Sequence, residues 1–441
     1  MKKLQIYILL PVLALALNAC QKELDLEPFQ SISEDLALNS SENVQSVLIG
    51  VYDQLGDGDL YGGNILRNSE LLGGDGEGQW VGTFNGPREI FNKAMITTND
   101  DAQSCWLEAY QAINIANNVL SALDIVDEDV RAQVEGEALF LRGLLYFDLV
   151  RYFAKPYQSG QTNAGPGVPL VLTPTRGITD KDLVDRNTIE EVYTQVIADL
   201  GKAEGQLPAD NEWRASKGAA AALLARGYLQ QGAYAKARDA ANRVIGSGEY
   251  RLLANYADLF NRDENSGEDV FAVQVTSQDG INNMNTFFSI PDFGGRDGDI
   301  EILDGHLDLY DAADDRLALF FHGHGAIRSG KWNNQFGNVN IIRLAEMYLI
   351  RAEANQRLST SVGASPLEDY NEVHTRAGLP AKNAVTLEDI LLERRLELAH
   401  EGFRIHDIKR LKQSAGAFAF DADKLVFPIP QREIDANPNL S

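Results

Sequence analysis

One short pattern recurs along this chain and constrains its fold more than any other feature. A small residue is followed three positions later by tyrosine in Ala225-x-x-Tyr228, in Ala345-x-x-Tyr348 and, more loosely, in Gly143-x-x-Tyr146. In tetratricopeptide-type repeats, small residues let paired helices approach closely, and aromatic rings fill the space between them. Chance agreement in an alanine-rich chain is the alternative. The recurrence predicts stacked helical hairpins. Together with the aperiodic and alternating stretches described below, it leads us to expect an all-α fold: a tetratricopeptide-like helical-repeat scaffold with long irregular insertions and a few short strands.

Several helix boundaries are also visible in the sequence. Apolar residues recur at helical spacing from position 44 onward, and this helix is expected to end at Gly56. Thr188 stands three residues before Glu191, and Thr386 stands three residues before Asp389. This spacing is typical of a capping box, in which the two side chains satisfy free backbone N–H groups at the start of a helix.

Two stretches lack helical periodicity, at about 56–100 and about 280–338. A short alternating stretch at 271–276 lies between them and predicts a strand. Aperiodic runs of this length inside a compact domain are usually functional or disordered. We expect the two insertions to meet on one face of the helical frame and to form the ligand-binding surface there.

The N terminus carries the pattern of a lipoprotein signal. Lys2 and Lys3 precede an apolar run at 6–17, which is shorter than the ~20 residues that a membrane-spanning helix needs. The run closes before Cys20, where a lipid-modifying signal peptidase would cleave. An ordinary secretory signal with an incidental cysteine is the alternative. The expected organisation is a signal peptide at 1–19, a lipidated N terminus and tether at 20–40, and a single domain at 41–441.

The acidic balance of the chain limits its partners. The formal net charge is −25, with 64 acidic against 39 basic residues. Such a field repels phosphate, which argues against nucleic acid and anionic lipid as partners and favours neutral or cationic ligands. The only cysteines of the sequence are Cys20 and Cys105, so a lipidated Cys20 leaves no disulfide partner for Cys105. Cys105 is therefore expected to be a small core residue.

Three sequence blocks resemble the signatures of one family. They are NIIRLAEMYLIRAEA at 340–354, ERRLELAHEGFR at 393–404 and FPIPQREIDANP at 427–438, with a further match, LRGLLYFDL, at 141–149. By these blocks the chain is similar to the SusD/RagB family. That family commonly has an aromatic pair after the arginine of the second block, where this chain has Ile405 and His406. The residues at 21–25 also resemble the acidic export signal of Bacteroidetes lipoproteins.

The resemblance implies a lipoprotein that is anchored in the outer membrane and exposed at the cell surface. Family members bind glycans, or in some cases peptides, above a SusC-like TonB-dependent transporter, on which they act as a lid. The expected function is non-catalytic capture of oligo- or polysaccharide and its delivery to that transporter. The alternatives are a peptide-binding homologue and, less favoured, a surface glycosidase. The sequence has no nucleophile elbow, metalloprotease motif or phosphate-binding loop, and no cofactor is expected.

The charges of the second block are expected to have a structural role. Arg394 and Glu397 are three residues apart, as are Glu401 and Arg404. Pairs at this spacing meet on one side of a helix and stabilise it modestly. We therefore expect ion pairs along a single helix.

A sugar-binding surface needs flat apolar rings against which the C–H face of a pyranose can lie, with amide, carboxylate or guanidinium groups at the edge. Trp80 and Trp332 lie in the two insertions, outside any helical stripe, and are the first candidates. Trp106 lies on a helical stripe and is expected in the core, whereas Trp213 precedes a helix and is expected either at the rim of the site or as a hydrophobic staple of that helix, with a ligand role less favoured. The expected ligand-binding residues are Trp80, Trp332, Tyr61, Phe84, Phe293, Arg296, Asn68 and Asp75, with Asn64 as a further edge residue.

The metal signals in the sequence are weak. Asp57-Gly58-Asp59 begins like a calcium loop, but Tyr61 and Asn68 stand where that loop needs an oxygen ligand and a bidentate glutamate. A second acidic turn occurs at 297–299, and solvated turns are expected at both places. His322 and His324 are spaced to face one way on a strand, but no third ligand is indicated. No metal site is expected.

Overall fold

The structure is a computed structural model that describes residues 37–177, 179–278 and 280–440. The predicted signal peptide, the predicted lipidation site Cys20 and the tether up to residue 36 lie outside the described residues. Within the described ranges, no helix is long and apolar enough to cross a membrane.

Helices dominate the described residues, and the predicted helical fold class is confirmed. The fifteen α-helices of these residues are α1 (Ser41–Leu55), α2 (Asn64–Gly73), α3 (Asn85–Phe91), α4 (Asp100–Ser121), α5 (Glu128–Phe153), α6 (Ile189–Gln206), α7 (Lys217–Gln230), α8 (Tyr234–Ser247), α9 (Asn283–Phe288), α10 (Asp304–Leu307), α11 (Leu344–Leu358), α12 (Pro366–Arg376), α13 (Leu387–Glu397), α14 (Arg404–Arg410) and α15 (Gln431–Ala436). The strands are β1 (Gly78–Trp80), β2 (Asp269–Val273), β3 (Ile300–Ile302), β4 (Phe320–Gly323), β5 (Ala326–Ser329) and β6 (Val339–Arg343).

The long helices pack as consecutive neighbours. Helix α4 packs on α5, α5 on α6, α6 on α7 and α7 on α8. Helix α8 then packs on α11, which also contacts α12 and α13. This neighbour-on-neighbour stacking is the arrangement that the repeat pattern predicts.

The small residues of the repeat pattern lie at buried helix contacts. Ala225 and Ala345 are fully buried. At Gly143, an added Cβ would lie 3.1 Å from the Leu200 side chain on α6, a tight contact that leaves little room for a larger residue. Tyr146 is fully buried on the same turn, and its hydroxyl donates to a backbone carbonyl 2.8 Å away.

The predicted helix ends are confirmed. Helix α1 ends with Gly56 as its C-cap. At the start of α6, the Thr188 hydroxyl accepts from the Glu191 N–H at 3.2 Å, and the Glu191 carboxylate accepts from the Thr188 N–H at 2.7 Å. Thr386 and Asp389 form the same reciprocal pair at the start of α13.

The two aperiodic stretches contain short regular elements. The first holds α2, β1 and α3, and the second holds α9, α10 and strands β3, β4 and β5. Helix α2 is buried on almost every side, and its buried residues include the polar Arg67, Asn68 and Ser69 as well as leucines. A four-stranded sheet in the order β1-β3-β5-β4 joins the two stretches, with Trp80 opposite Ile300 in the antiparallel β1–β3 pair. The two insertions therefore meet.

The prediction of ion pairs along the second signature block, Arg394 with Glu397 and Glu401 with Arg404, is wrong. Arg394 pairs instead with Asp407, at 2.9 Å, and with Glu346, at 3.3 Å. Glu401 pairs with Arg343 at 2.7 Å. Helix α13 ends at Glu397, which leaves the second expected pair outside the helix. The charges point into the fold and join α13 to other elements.

Glu397 lies at the centre of this buried ionic network. Arg343 Nη1 lies 2.9 Å from its Oε1, Arg316 Nη1 lies 3.4 Å from its Oε2, and Arg376 also pairs with it. Burial favours the neutral acid, but the charges of Arg376, Arg343 and Arg316 hold the pKa of Glu397 well below its usual range. Arg343 also pairs with Glu268, so one side chain links β6, α13 and the start of β2.

One apolar cluster extends from Leu38 to Leu440. Trp106 and Cys105 belong to it, with 3% and 2% of their surface exposed, which confirms both as core residues. At the position where the family commonly has an aromatic pair, Ile405 and His406 are also buried. The His406 ring lies edge-on to the Tyr152 ring, with the centroids 5.0 Å apart. His406 therefore makes an aromatic contact in the core.

Candidate ligand-binding site

The two insertions meet around the ring of Phe287 on α9. Asn282 positions this short helix, because its side-chain oxygen accepts from the Asn285 N–H at 2.7 Å. The Trp80 ring lies 5.7 Å from the Phe287 ring, and the Phe84 ring lies 6.1 Å from it, edge-to-face. Phe287 itself is 7% exposed. A buried ring of the second insertion thus supports two aromatic side chains of the first.

A buried arginine also packs against this ring. The Arg67 guanidinium lies 4.3 Å from the Phe287 centroid and pairs with Asp101. Asn68 accepts from Arg67 Nε and Nη2 at 3.0 Å and 2.8 Å, and only 1% of Asn68 is exposed. Burial lowers the pKa of Arg67 from its ordinary value. Asn68, expected at the edge of the ligand, instead orients this arginine.

Phe84 and Arg296 form a stacked pair at the surface. The Arg296 guanidinium lies 4.3 Å from the Phe84 centroid, and 46% of Phe84 remains exposed. Arg296 Nη2 donates to the Thr83 hydroxyl at 3.0 Å, and its Nε lies 3.2 Å from Asp299 Oδ2. Burial raises the pKa of Asp299, against the opposing charge of Arg296. The arginine is held by both insertions at once.

Two further exposed apolar residues lie close to this pair in the sequence. Val81 is 48% exposed and follows β1 directly, with its N–H donating to the Asp299 carbonyl at 2.8 Å. Phe293 is 43% exposed and lies edge-to-face with Phe321 at 5.6 Å. We call Val81, Phe84, Phe293 and Arg296 the aromatic edge. It offers exposed apolar surface beside guanidinium and hydroxyl groups, the combination that sugar recognition requires.

Trp80 lies within this region but is not a free stacking surface. It is 6% exposed, and its ring packs on Phe287. Its indole N–H has no hydrogen-bond partner among the described residues. Buried polar groups normally have a hydrogen-bond partner, so this N–H is an unsatisfied donor within the described part of the site.

Three of the expected ligand-binding residues are buried in structural roles. Trp332 is 4% exposed, and its indole N–H donates to the His400 carbonyl at 3.1 Å. Tyr61 is 2% exposed, and its hydroxyl donates to the Asp148 carboxylate. With Asn68, these side chains present no ring face or edge group to solvent. The loop position of Trp332 was misleading because the surrounding loops fold over it.

Asp75 and Asn64 are also not part of the aromatic edge. Asp75 is exposed and pairs with Lys93 at 2.7 Å. Asn64 is 6% exposed and donates to Asp59 at 2.6 Å. Both side chains pair with other residues of the first insertion.

Sequence reasoning did not identify four residues that build the site. Phe287, the supporting ring, precedes a second phenylalanine in an aperiodic stretch. Asn282, which caps the short helix that carries Phe287, is the one local sequence signal for the position of that helix. Val81, Thr83 and Phe321 have no distinctive spacing. They come together only through the β1–β3 pairing and the neighbouring strands.

The acidic turns are not arranged as a metal site. Asp57 accepts from the Asp59 N–H at 2.7 Å, a local turn contact. Asp299, expected in a solvated turn, is 2% exposed and faces Arg296. Among the described residues, no group of three or more histidine, cysteine, aspartate or glutamate side chains is placed to hold a metal ion.

A separate open cavity of about 370 Å³ lies between α1 and β2. Trp213 lines it and meets Tyr52 edge-on at 5.2 Å. The Trp213 side chain is half-buried.

Comparison with known proteins identifies the family. A family model described as "Starch-binding associating with outer membrane" matches residues 23–229, and one described as "SusD family" matches residues 319–420. The chain belongs to the SusD/RagB family. SusD-like protein P2 of Formosa agariphila is 26% identical, over an alignment that covers all of this chain and 99% of that protein.

Solved SusD-like structures share the fold across most of the chain. A SusD superfamily protein from Bacteroides vulgatus has a TM-score of 0.82 at 24% identity, covering 91% of this chain and 98% of that one. A laminarin-binding SusD-like protein has a TM-score of 0.76 at 26% identity, covering 90% of this chain and 98% of that one. The helical frame and its insertions are therefore a SusD-like architecture.

Proposed function

We propose that this protein binds oligo- or polysaccharide through the aromatic edge and delivers it to a TonB-dependent transporter, without chemically changing it. The observation that carries the proposal is the Phe84–Arg296 stack, in which an exposed ring and a guanidinium held by two neighbours form one surface. A pyranose can place its C–H face against apolar surface there and its hydroxyls against Arg296 and Thr83. One solved relative is a laminarin-binding protein, which supports a glycan as the ligand class.

The proposed setting is the outer face of the outer membrane. The family description associates such proteins with that membrane, and the sequence pattern at Cys20 supports a lipid anchor there. The ligand would then be held outside the cell until a SusC-like transporter takes it. A protein with this role needs moderate affinity and several weak contacts, because it must also release the ligand.

Binding to a ligand panel tests the proposal. Calorimetry with laminarin, starch-type glucans, fructans, a charged glycan and peptides is expected to show saturable binding to a neutral glycan. The double variant Phe84→Ala/Phe293→Ala is expected to weaken it about tenfold or more, since truncation of central aromatic contacts typically costs more than ~1 kcal/mol each. Ile125→Ala, a matched exposed apolar residue at 44% exposure outside the aromatic edge, is the control.

Two results would contradict the proposal. Binding of peptides in place of glycans would favour the peptide-binding alternative. Release of new reducing ends from a bound glycan would show that the protein is a glycosidase.

A further inference from the structure

The open cavity between α1 and β2 is a second place where the two insertions meet. Residues 56–58 of the first insertion and 280–282 of the second line it, together with Trp213 and part of β2. Its volume of about 370 Å³ falls within the range of ~300–1,000 Å³ that small-molecule sites occupy. The residues of the aromatic edge, all of them described, do not line it. The cavity is therefore separate from the aromatic edge.

Trp213 is the least buried tryptophan of the chain. All four tryptophans lie within the described residues, and Trp80, Trp106 and Trp332 are 6%, 3% and 4% exposed. Trp213 is half-buried and lines the cavity. A ring must keep part of its surface accessible if a sugar is to pack against it. Of the four, Trp213 therefore offers the most indole surface to a ligand.

The residues around Trp213 hold it in place without a ligand. The Tyr52 ring meets the indole edge-on, with the centroids 5.2 Å apart. The Ala215 N–H donates to the Tyr52 hydroxyl at 3.0 Å, and this hydroxyl donates to Glu137 at 2.8 Å. Arg214 Nη1 also donates to Glu137, at 3.2 Å. The segment that carries Trp213 is thus anchored to α1 and α5, and such preorganisation lowers the entropy lost on binding.

The charged side chains that line the cavity are acidic. Asp53 is exposed in the last turn of α1, and Asp57 is half-buried in the turn that follows, where its Oδ1 accepts from the Asp59 N–H. Among the described residues, no lysine, arginine or histidine lines the cavity. Carboxylates accept hydrogen bonds from hydroxyl groups, and without a basic neighbour they repel anionic sugars. The lining therefore favours a neutral ligand.

We propose that this cavity is a second binding site, for a neutral sugar unit, with Trp213 as its apolar surface and the Asp53 and Asp57 carboxylates as acceptors for the sugar hydroxyls. The C–H face of a pyranose packs against an indole, and hydrogen bonds to a carboxylate are strong. Ile49 and Ile281, 41% and 46% exposed, add apolar surface to the lining. The ligand class rests on the proposed function, but the site shares no residue with the aromatic edge.

Acrylamide quenching of tryptophan fluorescence in the full chain tests this site, because the other three tryptophans are at most 6% exposed. The probes are laminaritriose, maltotriose and xylotriose, all neutral and built of pyranoses. At least one of them is expected to protect Trp213 from the quencher in a saturable manner. A trisaccharide of glucuronate is expected to bind about tenfold more weakly or worse, because Asp53 and Asp57 repel its carboxylates.

Calorimetry in the Phe84→Ala/Phe293→Ala background isolates the cavity from the aromatic edge. There, Trp213→Ala is expected to weaken binding of the protecting trisaccharide about tenfold, as for other central aromatic contacts, and Trp213→Phe is expected to weaken it less. Asp53→Ala changes an exposed side chain and is expected to weaken binding about fivefold. Asp129→Ala, at an exposed helical aspartate outside the cavity, is the matched control and should bind as the background does.

Three results would overturn the second site: no protection of Trp213 by any of the neutral trisaccharides, an affinity unchanged in Trp213→Ala or in Asp53→Ala, or protection by choline alone, which would indicate a site for an organic cation. The two sites can fail separately. Glycan binding that depends on Phe84 and Phe293 without protection of Trp213 would refute the cavity alone. Protection of Trp213 together with glycan binding that is unaffected by the double variant would refute the aromatic edge alone.

Discussion

The Arg296 guanidinium lies 4.3 Å from the centroid of the Phe84 ring, and it is held there by Thr83 and Asp299. Thr83 and Phe84 belong to the first insertion, and Arg296 and Asp299 to the second. The stack therefore depends on both insertions, and its removal should affect ligand binding more than folding.

Arg296→Ala is expected to weaken glycan binding about five- to tenfold, because an exposed cation–π contact and its hydrogen bonds are worth about 1 kcal/mol. Arg296→Lys keeps the charge but loses the planar stack, so its glycan affinity should lie between that of the wild type and that of Arg296→Ala. Calorimetry with the best glycan of the panel measures both. Arg432→Ala is the control, since Arg432 is an exposed arginine with a single ion-pair partner. An affinity of Arg296→Ala equal to that of the control variant would rule out a role for this residue.

Trp332→Ala is expected to lower the free energy of unfolding by about 3–5 kcal/mol, as for other buried large-to-small changes. The indole is 4% exposed and donates to the His400 carbonyl, so its loss leaves a cavity and an unpaired acceptor. Denaturant unfolding measures the loss. Glycan affinity of the folded fraction should stay at the wild-type value, and a selective drop in affinity at unchanged stability would return Trp332 to the ligand site.

Arg343→Met is expected to destabilise the protein by about 3–5 kcal/mol, because it leaves Glu268, Glu397 and Glu401 buried without their shared partner. The matched control is Arg243→Met, which breaks a partly exposed pair with Glu204. That change should cost less than about 1 kcal/mol. Equal unfolding midpoints for the two variants would contradict the structural role of the network.

Glu70 is expected to make the protein less stable as the pH rises. Burial raises its pKa from 4.5 to about 7, and the nearby Glu77 adds to the shift. The folded state therefore holds this proton more tightly, so the stabilisation is complete below about pH 4.5 and is lost as the pH rises through about 7. Each pKa unit corresponds to about 1.4 kcal/mol, so the total loss for a shift from 4.5 to about 7 is on the order of 3–4 kcal/mol.

Glu70→Gln removes this titration and keeps an oxygen for the backbone N–H groups of Gly402 and Phe403. Its stability relative to wild type should therefore increase between pH 5 and pH 8, as measured by urea unfolding at each pH. The exposed Glu388→Gln should show no such trend. A stability difference between Glu70→Gln and wild type that is constant with pH would refute the assignment.

Local signals predicted local structure well. The capping boxes at Thr188 and Thr386 and the helix end at Gly56 depend on neighbours within a few residues, so the sequence contains all the information they need. The small-x-x-Tyr pattern also predicted the stacked helices, because close helix packing restricts which residues can occupy the contact.

The candidate site was only partly predictable, because burial of a loop residue is decided by distant segments. Phe84, Phe293 and Trp332 look alike in sequence, as aromatic residues in aperiodic stretches. Two are more than 40% exposed, and Trp332 is covered because its indole reaches His400. The ion pairs of Arg394 and Glu401 were mispredicted for the same reason: spacing along a helix says nothing about partners from other elements.

The pairing of β1 with β3 has a consequence for how the binding face forms. Gln79 Nε2 donates to Glu301 at 2.5 Å across 222 positions of the chain, and such distant contacts form slowly because a long loop must close first. The helical hairpins contact near neighbours and can assemble before them. The contacts that join the two insertions at the aromatic edge are therefore expected to form late in folding.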